Sequence, residues 1–367
     1  MAETTISTAN RVKQWDDKAH VEYIRANRFK RYMGSNENAI IQVKEDLTKK
    51  RGDAITIPLV GALDSSGGPN TGPSDLVGNE KALPNDGHRI GVGVVRDATL
   101  VNVEEEQASP INIRNAGKVA LRDLQMRYLR NSIITALGSI NGVAYGTATT
   151  GQKNTWHDGN SDRVLYGAAA GNFVAGDHAA SLANIASPGD ALTGDLVSLA
   201  KRTAQDAVTV NGDGIRPFRY GEDMETFVMF VNTKAFRDLR NWMVANKFWN
   251  DAMQAGKENP LFSGPTSIYW DGVIVREIPE IGVISGVGAG TPAIDVAPCY
   301  LCGAQALAAA WAMRTKSTTR KEDDYGYRYG VGFMEMRGVE KLQYEQGTDD
   351  AKDWGVVTTY VAGVADA

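Results

Sequence analysis

Three observations on this 367-residue chain predict an α+β fold. Two strand-like runs bracket a long polar connection, a long amphipathic helix follows, and beyond it single strands alternate with helices. No repeat of fixed period runs along the chain, which excludes a solenoid, and the strand–helix alternation excludes an all-β protein. The length suffices for one large domain or two, with ample material for a core.

Residues 1–51 read as an N-terminal arm. Eleven basic residues stand against seven acids there, a balance of +4 in a chain whose net charge is −5. Val12, Trp15, Ala19 and Tyr23 fall at helical spacing, so a short amphipathic helix is expected. It is either a solvated charged helix or an arm lying on neighbours or on a polyanion.

The next run, Ala54 to Val60, is rich in β-formers, and β character resumes at Ile90 to Val95. Between them, Gly61 to Arg89 holds six glycines, three prolines and few large aliphatics (Leu63, Leu76, Val77, Leu83). A connection this long is either functional or disordered. Two strands without a third are marginal in water. The hairpin is therefore expected to be an arm ordered by a neighbouring subunit.

Glu104, Glu105 and Glu106 precede a helix start, with Ser109 as N-cap and Pro110 in the first turn. This helix is expected to run to Leu137 and stop at Gly138. Leu121, Leu124 and Tyr128 form one apolar stripe, and Met126, Leu129, Ile133 and Leu137 another. Arg114, Lys118 and Arg122 stack three cations on one face, which suits solvent, a carboxylate partner or a polyanion.

Residues 139–190 show weak periodicity and read as short strands and loops. A helix opens around Leu192 to Leu196 and ends near Gly212. Thr226 to Val231 is apolar throughout and reads as a strand buried on both faces. Asn232 or Thr233 caps a helix from Lys234 to about Gln254, whose aromatics Phe236, Trp242, Phe248 and Trp249 suit core packing. Tyr269 to Arg276 is a hairpin turning on Asp271-Gly272. Residues 279–298 are loop-rich. Cys302 to Met313 reads as a small-residue helix, Tyr325 to Tyr344 as strands, and Gly355 to Val361 as the last strand.

Composition narrows function by exclusion. A hydrophobic content of 43% with 23% charged residues is ordinary for a globular protein and rules out a disordered chain. The acidic balance is opposite to that of a protein built to grip nucleic acid. No apolar run reaches the length of about 18 residues that a membrane span needs. The polar start lacks a signal-peptide core, so folding in a cytoplasm is expected.

Cys299 and Cys302 have zinc-compatible spacing but no second ligand pair, and His20, His88, His157 and His178 are scattered. Two small buried residues are the better reading. Asp158-Gly159-Asn160-Ser161-Asp162 mimics the start of a calcium loop, yet Arg163 and Ala169 stand where an EF-hand needs Gly and Glu. That leaves room only for a weakly loop-bound cation. Gly286 to Gly290 lacks the Lys-Ser/Thr of a phosphate loop. No nucleophile elbow is present, so neither catalysis nor a cofactor is expected.

Several collinear segments carry a resemblance. They are Ile41 to Leu47, Gly52 to Thr56, Leu76 to Leu83, Phe227 to Val231 with Phe236 to Arg240, Asn259 to Phe262, Asp271 to Glu277, Gly303 to Ala306, and Asp324 to Gly326 with Gly338 to Lys341. In this order they resemble the tailed-bacteriophage major capsid proteins with the HK97-like fold, in the family named after the phage N4 coat protein. Asn232-Thr233 departs from that family, which more often has His-Pro there. The departure bears only on the cap of the following helix.

The resemblance implies an N-terminal arm at 1–51, an extended loop at 52–103, and a peripheral domain at 104–189 built on a spine helix. It further implies an axial domain at 190–320 and return strands at 321–367. The implied function is self-assembly through hexamers and pentamers into the icosahedral head that encloses a double-stranded DNA genome. An encapsulin-like compartment is the alternative within the fold, and a host-surface or carbohydrate-binding β protein the alternative outside it. Asn79, Glu80 and Lys81 on the loop, with Arg114, Lys118 and Arg122 on the helix, are the candidate inter-subunit contacts. Implied partners are further copies of the chain, scaffolding, portal and decoration proteins, and packaged DNA held without sequence preference. The implied location is the virion, after assembly in a host cytoplasm.

Overall fold

The computed structural model describes residues 28–45, 54–63, 69, 71, 76–108, 113–208, 210, 214–220, 224–248, 266–320 and 327–364. The expected helix around Trp15, the caps Ser109 and Pro110, Trp249 and the Asn259 to Phe262 motif lie outside the described residues.

In chain order, β1 (Met33–Gly34) and β2 (Ile41–Lys44) are followed by the hairpin β3 (Ala54–Val60) and β4 (Asn85–Gly91). Next come β5 (Gly93–Asn102), the short α1 (Val103–Ala108) and the long α2 (Ile113–Leu137). Residues 139–190 contain two helices, α3 (Thr150–Gly159) and α4 (His178–Ala183), around β6 (Val164–Tyr166). The expectation of only strands and loops there is corrected. Thr149 and Gln152 form a reciprocal capping box on α3, a local signal that weak apolar periodicity concealed.

Helix α5 (Gly194–Asp206) is capped by Thr193 and precedes β7 (Phe218–Tyr220) and β8 (Met224–Val231). Asn232 caps α6 (Thr233–Ala245), its side chain accepting from the Ala235 amide at 2.8 Å. This helix stops well short of Gln254, with the Asn246 amide folded back onto the Trp242 carbonyl. Strands β9 (Ser267–Trp270) and β10 (Val273–Glu277) make the expected hairpin, with φ of 46° at Asp271 and 75° at Gly272. Positive φ at both central residues is why Asp-Gly is suited to this turn.

The remaining strands are β11 (Val296–Cys302), β12 (Leu307–Arg320), β13 (Arg328–Lys341), β14 (Gln343–Tyr344), β15 (Lys352–Asp353) and β16 (Val356–Ala362). The helix expected over Cys302 to Met313 is therefore a turn and a strand. Leu307 to Trp311 are all fully buried. Leu307, Ala309 and Trp311 face one core and Ala308 and Ala310 another. A strand buried on both faces loses its alternation, and an alanine run then looks helical.

Two sheets organise the chain. A seven-stranded sheet runs β6-β16-β11-β8-β10-β9, with β7 also pairing β8. A five-stranded sheet runs β1-β2-β12-β13-β5. Strand β8 shows why the first must be covered twice. Phe227, Met229 and Val231 face α5 and α6, whereas Val228 and Phe230 face Leu129, Ile133 and Leu137 of α2. The helix buries Leu121, Leu129, Ile133 and Leu137. Leu124 and Tyr128, expected in an apolar stripe, are exposed instead.

Candidate assembly interface

The hairpin's base is a period-2 strand pair. Ile55, Ile57 and Leu59 alternate inward with exposed Thr56, Pro58 and Val60, and Ile90 joins them from β4. These side chains pack on Ala308, Ala310, Leu342 and Trp354 of the same chain. The small alanines let the hairpin approach closely. At its end, a Cβ on Gly338 would lie 2.0 Å from the Gly91 carbonyl, so only glycine fits.

Polar contacts fix the same base. The Gln346 side chain accepts from the Arg89 amide at 2.8 Å and donates to its carbonyl at 3.0 Å. Asp86 accepts from the Glu345 amide at 2.6 Å, and Glu340 from the Gly91 amide at 3.1 Å. Buried His88 takes the Gln343 amide on Nδ1 at 3.2 Å and sets Nε2 3.3 Å from Glu340. The hairpin base is thus ordered by its own chain, which corrects the expectation that a neighbour must order it. Strand β5 departs from it as well. From Gly93 it pairs with β13, so the part of 52–103 that stands apart as a hairpin ends at Gly91.

Past Gly61, which still pairs with Pro84, the large aliphatics among the described residues leave the core. Leu63, Leu76, Val77 and Leu83 are all exposed, Leu76 by 64% and Val77 by 85%. The Asn79 amide closes a turn on the Leu76 carbonyl at 3.0 Å, and the Glu80 carboxylate accepts from the Gly78 amide at 2.7 Å. Asn79, Glu80 and Lys81 are all exposed on this arm. Lys118 is half-buried and Arg122 exposed on α2, and the Arg114 side chain lies outside the described residues. The six candidate contacts therefore sit on two separate elements.

Sequence reading missed three polar assemblies. The first joins two histidines through a tyrosine. His157 Nδ1 lies 2.7 Å and His178 Nδ1 2.6 Å from the Tyr166 hydroxyl, and His178 Nε2 lies 3.0 Å from the Tyr145 hydroxyl. Burial lowers the pKa of both imidazoles, that of His178 to about 4. The second is a buried ion pair, Lys341 to Asp353 at 2.6 Å, in which Asp353 also accepts from Trp156 and Gln343. The third sets Glu335 and Arg337 2.9 Å apart beneath α2. A charged pair at i, i+2 in phase with buried Phe333 was the available signal for it.

The metal-like and phosphate-like motifs have other partners. Cys299 and Cys302 fall in cores on opposite faces of β11, so they cannot share an ion, and burial raises both thiol pKa values. In the calcium-like stretch, Asp158 accepts from Gly176, Asn160 from Asp353, and Asp162 from Arg163 and Val208. Gly286, Gly288 and Ala289 donate their amides to Asp295, Ile294 and Ile185 of this chain.

A sheet-bound long helix and an exposed arm are the features that comparison with known proteins bears on. Residues 3–365 match the sequence model of the family described as phage capsid protein. The chain belongs to the phage capsid protein family.

Among solved structures, the cyanophage Pam1 capsid subunit is 30% identical, with all of both chains covered and a TM-score of 0.78. The capsid of Ralstonia phage GP4 is 19% identical over 93% of this chain and 92% of that one, with a TM-score of 0.75. The capsid of Helicobacter pylori bacteriophage KHP30 is 11% identical over 92% and 90%, with a TM-score of 0.62. Comparison with curated protein sequences returns no match. The fold is the HK97-like fold of phage capsids, and the chain is a major capsid shell protein of the virion.

Proposed function

We propose that this capsid protein closes its shell by laying the arm beyond Val60 onto an adjacent copy, with no catalytic step. The observation that carries this reading is the contrast along one hairpin. Its base is docked by buried apolar contacts, while four large aliphatics on its outer part are uncovered. Exposed apolar side chains concentrated on one stretch of chain suit an interaction surface. One contact repeated by rotation closes rings, here hexamers and pentamers that tile an icosahedral head. Many weak contacts per subunit then act together.

Asn79, Glu80 and Lys81 supply polar contacts at the arm, and Arg114, Lys118 and Arg122 receive neighbours along the helix. Residues 1–51 serve as the N-terminal arm, 104–189 and 321–367 as the peripheral domain, and 190–320 as the axial domain. Scaffolding, portal and decoration proteins are its partners, and assembly takes place in the host cytoplasm. A net charge of −5 suits an inner wall along which packaged DNA slides during filling.

The test is negative-stain microscopy of the expressed full chain after sedimentation through a sucrose cushion. Closed shells of uniform size are the expected outcome. A compact monomer that stays unassembled when scaffold is supplied overturns the proposal.

A further inference from the structure

Arg337 is only 4% exposed, on the face of β13 beneath α2. Its Nε lies 2.9 Å from one oxygen of Glu335 in an ion pair, and the other oxygen accepts from Gln125 at 3.1 Å and Thr315 at 2.8 Å. The oxygen of Glu335 that faces Arg337 accepts no hydrogen bond among the described residues, so this ion pair satisfies neither partner in full. The two terminal nitrogens of Arg337 have no acceptor among the described residues. Buried donors left without acceptors are costly, so a missing partner is implied.

Arg337 lines a cavity of about 400 Å³ between α2 and β13, together with Tyr128, Asn131, Ser132, Ser139 and the acidic Glu340. The Tyr128 ring sits 5.0 Å from the guanidinium and is 50% exposed, forming one wall of the mouth. Two unpaired N–H groups in a planar fork match the two oxygens of a carboxylate. Inorganic phosphate would fit the fork as well. The apolar lining supplied by Val95, Tyr128 and Val339 favours an amino-acid side chain over a DNA backbone.

We infer that the Arg337 cavity is a carboxylate-recognition site that takes an acidic side chain from a second copy of this chain. This rests on the shell reading for its occupant. The copy is favoured because the subunit carries 44 acids against 39 basic residues, and because the shell places like subunits side by side.

Two measurements test it. On unassembled subunits, arginine-labelled NMR spectra are titrated with sodium acetate. The Arg337 side-chain resonance, assigned by its loss in Arg337→Lys, is expected to shift with acetate and to stay fixed in chloride of equal ionic strength. No acetate response overturns the inference, whether or not shells form. In shells imaged at side-chain resolution, an Asp or Glu of the adjacent subunit is expected within hydrogen-bond distance of both terminal nitrogens. Water alone, an acceptor from the same chain, or a DNA phosphate there overturns the inference while leaving assembly intact. Failure to form shells strikes the assembly proposal instead.

Discussion

Ile57→Ala probes whether the arm is anchored by its own chain. Ile57 is fully buried between Ile55, Leu59 and Ile90 on one side and Ala308, Ala310, Leu342 and Trp354 on the other. The substitution removes three carbons, worth about 0.8 kcal/mol each in transfer, and leaves a cavity, for a total of about 3 kcal/mol. The β3–β4 pair forms its own two-stranded sheet, so this loss falls on the hairpin first. Hydrogen exchange on unassembled subunits is the assay. Amides of β3 and β4 are expected to be protected in the wild type and to exchange roughly a hundredfold faster in the variant. Wild-type hairpin amides that exchange freely until shells form, or rates unchanged by the substitution, would refute the anchoring.

Two further outcomes follow from buried polar groups. Lys341→Met leaves Asp353 charged and buried with only neutral donors, and is expected to lower unfolding stability by about 3–5 kcal/mol, read from the urea midpoint. His178 is buried neutral, with its pKa lowered from 6.5 to about 4 by burial first and then by repulsion from His157 and Lys153. A depressed histidine pKa gives stability that is complete above pH 6.5 and is lost as pH falls toward 4, because the unfolded chain binds the proton more readily. From those two values the loss is about 2 kcal/mol at pH 5 and about 3 kcal/mol at pH 4. Urea titrations of the subunit at pH 7.5 and 5 should show this slope, and His178→Gln should flatten it.

What the sequence made legible was mostly local. The β-former run of β3, the Asp271-Gly272 turn, the Asn232 cap and the twice-covered β8 each follow from a short pattern with one physical meaning. The errors arose where distant contacts decide. Leu307 to Trp311 forms a strand because two cores meet across it, although alanines favour a helix in isolation. Leu124 and Tyr128 are apolar yet exposed, because only one face of α2 meets the sheets. Of the candidate interface, the exposure of Leu63, Leu76, Val77 and Leu83 was legible from composition, since a glycine- and proline-rich stretch cannot form its own core. The anchoring of the hairpin base was not, because Ala308, Leu342 and Trp354 lie more than two hundred residues away in sequence. The Tyr166-bridged histidines are close in sequence but were hidden because α3 and α4, which carry them, read as strands and loops.

The most direct test of arm-driven closure replaces residues 62–83 with a short turn, keeping the Gly61 to Pro84 bond that closes the hairpin base. The variant is expressed beside the full-length chain, under conditions in which that chain closes shells, and both are sedimented and imaged. A folded variant that keeps β3 and β4 protected and yields only monomers or small rings is the expected result. Closed shells of wild-type diameter from that variant would contradict it.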